Sequence, residues 1–87
     1  MPMEFWVEVF KEGKAFVAVC PELNVSSFGP SPTAAKEALR EAVAAFVEGC
    51  VELGTLEEVM EEARFLPQDG KWVSRHPVSQ ERLTLSA

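Results

Sequence analysis

Few residues in this chain could do chemistry. His76 is the single histidine, and a histidine serves as general base or metal ligand near neutral pH. It lies beside Pro77 in a polar stretch, where an exposed loop histidine is the plain reading. The serines at 26, 27, 31, 74, 79 and 86 lack a His-plus-acid set, because His76 would have to serve any of them. Cys20 and Cys50 each fall in an apolar pattern and read as buried, reduced thiols; a Cys20–Cys50 disulfide or a metal pair is the alternative. Two lone cysteines and one distant histidine do not make a zinc site. Glu57, Glu58, Glu61 and Glu62 read as the solvated face of a helix, with an acidic docking surface as the other use. General acid–base work needs burial or a close partner to move a carboxylate pKa, and this spacing offers neither. Gly29-Pro30-Ser31 precedes a helix, whose N-terminus can hold an anion, but it lacks the glycines and lysine of a phosphate loop and reads as a cap. Trp6 and Trp72 could stack on a ligand, or serve in a core or interface. No catalytic, cofactor-binding or metal-ligating set emerges, so a non-enzymatic protein without a cofactor is expected.

The elements that carry these residues are organised around Ser31 to Leu53. Apolar residues recur there at Ala35, Ala38, Leu39, Ala42, Val43, Phe46, Val47, Cys50 and Val51, one face of a helix. Ser31 supplies an N-cap, Pro32 suits the first helical position, and Gly54 suits the left-handed end. Gly49 is an internal weakness of about 1 kcal/mol relative to alanine; it either admits a close neighbour or leaves the last turn loose. Before the helix, Phe5 to Phe10 and Ala15 to Cys20 read as a hairpin turning at Lys11-Glu12-Gly13-Lys14. A tip at Glu12-Gly13 pairs Phe10 with Ala15, Val7 with Ala18 and Phe5 with Cys20. Pro21 breaks the ladder, and Asn24 to Phe28 is a short third strand ended by Gly29-Pro30. After Gly54, Thr55 and Glu58 form a capping box for a second helix striped by Leu56, Val59, Met60 and Ala63. Phe65-Leu66-Pro67 ends that helix, and Gln68-Asp69-Gly70 is a turn. Lys71 to Arg75 is a short strand anchored by Trp72, and Val78 to Leu85 is either a last strand, paired at a sheet edge or with another subunit, or a loosely held tail.

The expected fold is therefore α+β: one domain, residues 1–87, with a core over 5–53 and a second helix and C-terminal strands over 55–87. A small antiparallel sheet carries the long helix on one face, in the order β-β-β-α. Alternation puts Phe5, Val7, Val9, Phe16, Ala18 and Cys20 on the helix side. Trp6, Glu8, Phe10, Ala15, Val17 and Val19 fall on the other, which is too apolar to sit comfortably in water. Trp6, Glu8, Phe10, Val17 and Val19 are the candidate protein interface, unless the second helix or the C-terminal tail folds over them. With 47% hydrophobic residues in 87, the surplus points to a homodimer or higher homo-oligomer.

Charge narrows the partners. The net charge is −6 and the eight basic residues are scattered, so direct nucleic-acid binding is not expected and a basic protein is. No apolar run approaches the roughly 20 residues of a membrane span, and Met1-Pro2-Met3-Glu4 does not open a signal peptide, so a cytoplasmic location is expected.

One family shares this order of pieces. The run Phe16-Val17-Ala18-Val19-Cys20-Pro21-Glu22-Leu23, then Val25, Ser27-Phe28-Gly29, Ser31, Ala35 and Leu39-Arg40-Glu41-Ala42-Val43, resembles the HicB-like antitoxin family. The resemblance covers roughly residues 5 to 50. It implies a β-β-β-α-β sheet, partly like a double-stranded-RNA-binding domain, that binds and blocks a small basic HicA-like ribonuclease toxin and oligomerises. The chain departs from the pattern at Thr33 and Ala34, where the family carries acidic residues at the helix start. Residues 67–87, with two prolines, are too few for the family's C-terminal DNA-binding module, so a short stand-alone member is expected. The alternative is an orphan oligomeric interaction or structural domain.

Overall fold

A computed structural model describes residues 2–86; Met1 and Ala87 lie outside the described residues. The architecture is α+β, with six strands in two small sheets, a long helix and a short one. The strands are β1 (Met3–Glu4), β2 (Glu8–Glu12), β3 (Ala15–Cys20), β4 (Val25–Gly29), β5 (Phe65–Gln68) and β6 (Lys71–Ser74). The helices α1 (Pro32–Leu53) and α2 (Leu56–Glu62) lie between β4 and β5. One sheet has the order β2-β3-β4 and is antiparallel throughout. The other has the order β1-β6-β5, with β1 parallel to β6.

The long helix forms as its sequence dictates. Ser31 is extended and its Oγ accepts from the Ala34 N–H at 3.1 Å, satisfying one first-turn donor. Gly54 closes the other end in the left-handed conformation, φ 72°. Gly49 has open space around it, so no close neighbour explains that glycine. Gly29 does meet one. A Cβ there would lie 2.8 Å from the Ala35 backbone nitrogen, so β4 and α1 approach to a distance only glycine allows.

The hairpin departs from the expected register by two residues. Its loop is Gly13-Lys14, with Glu12 opposite Ala15, Phe10 opposite Val17, Val9 opposite Ala18 and Glu8 opposite Val19. Gly13, at φ 62°, takes the first loop position, where a two-residue turn needs a positive φ. An even shift keeps every residue that remains paired on its expected face; a shift by one would have exchanged them. It also frees Phe5, Trp6 and Val7 from the hairpin. The chain instead enters a second sheet through Met3 and Glu4, with Met3 beside Trp72. Of the strand expected from Phe5 to Phe10, only Glu8 to Phe10 is strand, within β2; Phe5 to Val7 link it to β1, and the single antiparallel sheet expected is two sheets, one of them with a parallel pair.

The C-terminal half brings further corrections. Phe65-Leu66-Pro67 does not merely end a helix; it is most of β5, which turns at Asp69-Gly70 (φ 51° and 77°) into β6. Pro67 is tolerated because β5 is an edge strand. The capping box is not made: the Thr55 side chain does not cap α2, and its hydroxyl donates to the Cys50 carbonyl. No strand forms between Val78 and Leu85.

Two apolar clusters hold the layers. Ala18 and Cys20 of β3 are buried beneath Ala35, Leu39 and Val43 of α1. Met60, Phe65 and Trp72 pack between α2 and the second sheet. Met3, Phe5 and Leu23 pack against both clusters and bridge them.

Candidate interaction surface

Strand alternation builds the surface. On the face of β2-β3-β4 away from α1, Glu8, Val19 and Ser26 form one row across the strands. Phe10, Val17 and Phe28 form the next. Glu12 and Ala15 form the third, so acidic side chains flank an apolar centre on the β2 side. Phe10 is 51% exposed and Phe28 73%, so neither α2 nor the C-terminal segment closes over that row.

The structure thus brings together Glu8, Phe10, Val17 and Val19 of the five expected interface residues. Trp6 stands apart. It precedes β2, its indole N–H donates to the Arg75 carbonyl at 3.2 Å, and its ring meets His76 edge-on at 5.3 Å. Trp6 and His76 therefore form a clip that holds the start of the C-terminal segment against the N-terminal one. A cleft of about 490 Å³ runs beside this clip, bordered by Leu66, Val73 and Arg75 among others.

Phe28 and Ser26 of β4 join the surface, while Val25, the other apolar residue of that strand, does not. Alternation separates them: Val25 opposes Cys20 on the helix side, and Phe28 opposes Val17 on the open side. A fixed β3–β4 register would have revealed this.

Cys20 and Cys50 are free and buried. Burial raises the Cys20 thiol pKa above its ordinary value; the backbone N–H of Leu23 opposes the shift and the Glu22 charge adds to it. That thiol is held in its unreactive form. Among the described residues, no group of three or more His, Cys, Asp or Glu side chains is placed to hold a metal ion. Also among them, no helix is long and apolar enough to cross a membrane. On the second sheet, the buried Ser74 hydroxyl donates to the Glu4 carbonyl, and Lys71 pairs with Glu4 at the surface.

No family model matches this chain, and no curated protein or solved structure matches it either.

Proposed function

We propose that this chain is a non-enzymatic protein-interaction module of the HicB-like kind, which binds and neutralises a small basic ribonuclease through the open face of β2-β3-β4 and self-associates as a homodimer or higher oligomer. The observation that carries the reading is the exposed Phe10–Val17–Phe28 row beside Glu8 and Glu12. An apolar, aromatic centre with a polar rim is the usual anatomy of a recognition patch. Two carboxylates on a chain of net charge −6 favour a basic protein over nucleic acid. The motif order that resembles the HicB-like family supports the same target.

The test is co-expression with a cognate small basic ribonuclease. The chain restores growth and co-purifies with the enzyme, and Phe10→Asp loses both while remaining folded. An enzyme left fully active, with no complex recovered, ends the antitoxin reading. A second reading, an orphan oligomeric domain without a toxin, draws on the uncovered apolar residues Val78, Leu83 and Leu85. It predicts self-association without any effect on the ribonuclease.

A further inference from the structure

The two ends of the chain leave complementary features unused. Strand β2 is an edge of its sheet; the other edge, β4, lies against α1, whereas all five residues of β2 are exposed, including Val9 on the helix side. An uncovered edge presents unpaired N–H and C=O groups that readily accept another strand. The C-terminal segment has the opposite lack. Leu83 is 82% exposed and Leu85 93%, and among the described residues no element covers them. The radius of gyration, 14.8 Å, exceeds the about 12 Å of a compact chain of this length. The segment thus projects from the body, beyond the clip at Trp6, Arg75 and His76.

We propose that residues 80–86 of one copy add as a strand to the free edge of β2 in a second copy, and reciprocally. This rests on the self-association part of the reading above and assigns it a surface. The residue patterns select the pairing. Setting Thr84 opposite Phe10 places Arg82 opposite Glu8 in a parallel ladder, or opposite Glu12 in an antiparallel one. In both, Leu83 and Leu85 fall opposite Val9 and Lys11, on the helix side of the sheet. A slip by one residue would set the leucines among Glu8, Phe10 and Glu12 and turn Arg82 toward the face of Lys11. Charge and alternation therefore agree on one parity. Seven extended residues span about 23 Å, enough to run the length of the five-residue β2. The reciprocal exchange closes as a two-fold dimer and leaves the Phe10–Val17–Phe28 row free for a different protein.

Sedimentation of the full chain at micromolar concentrations tests this. The wild type is expected to be a dimer. The pair Leu83→Asp and Leu85→Asp, folded by circular dichroism, is expected to be a monomer. Arg82→Glu should weaken the dimer roughly tenfold or more. Combining it with Glu8→Arg restores a parallel ladder, and combining it with Glu12→Arg restores an antiparallel one. A dimer indifferent to the tail substitutions but lost in Phe10→Asp overturns the strand exchange and leaves self-association through the open face. A wild-type monomer overturns it too, with slow hydrogen exchange at Leu83 and Leu85 marking a tail that docks on its own β2. Tail-dependent dimers that fail to protect against the ribonuclease sink the antitoxin reading alone.

Discussion

The two faces of the β2-β3-β4 sheet use alternate residues of the same strands and meet opposite fates. On the helix side the buried residues of the sheet are small, Ala18 and Cys20, and they lie beneath Ala35, Leu39 and Val43 of α1. On the open side the large aromatics Phe10 and Phe28 stand in solvent. Among the strands of this sheet, burial does not follow side-chain size. Small residues are buried because α1 lies close to the sheet, as the space at Gly29 shows. The covered face thus carries the packing and the open face leaves its aromatics in solvent, and the contrast can be attacked from either side.

The largest effect belongs to the covered face. Leu39 is among the largest fully buried side chains, so Leu39→Ala should cost about 2–5 kcal/mol in denaturant unfolding. Next comes Gly29→Ala, whose Cβ meets backbone rather than a movable side chain; about 1–3 kcal/mol should be lost. An unchanged melting temperature would show that β4 and α1 separate freely.

Cys20 sharpens the contrast through pH. Its thiol pKa is raised by burial, so the folded chain holds that proton to higher pH than the unfolded chain does. The contribution is fully present below the ordinary thiol pKa and is lost as pH rises through that value toward the raised one. Stability should therefore fall in mildly alkaline solution, and less so in Cys20→Ala relative to its own neutral-pH value. A thiol reagent should label Cys20 only on unfolding; rapid labelling of the native chain would place it at the surface.

The smallest stability effect is expected on the open face. Phe28→Ser should stay within about 0.5 kcal/mol of wild type, because a 73% exposed ring has little packing to lose. A loss comparable to that of Leu39→Ala would mean that the two faces are not divided as described.

Much of this fold was legible from residue order. Ser31, Pro32 and Gly54 delimit α1 because caps act through their immediate neighbours. The face assignments survived a hairpin turn displaced by one position because the register moved by two. Four of five interface residues, Glu8, Phe10, Val17 and Val19, share a face for the same reason. Trp6 does not share it, because β2 begins only at Glu8, two residues after it. The β5–β6 hairpin was half legible: Asp69-Gly70 marks a turn, but Pro67 argued against a strand and only an edge position accommodates it.

The chain by itself thus determined what depends on local interactions: the long helix, its caps, the alternation of the hairpin and the excess of apolar surface. Tertiary structure alone decided what depends on distant partners. It divided the strands between two sheets, set Met3 beside Trp72, clipped Trp6 to Arg75 and His76, and left β2 and the C-terminal leucines uncovered. Those pairings join residues near the two ends of the chain, and no local pattern carries information about which of many apolar partners, tens of residues away, will meet.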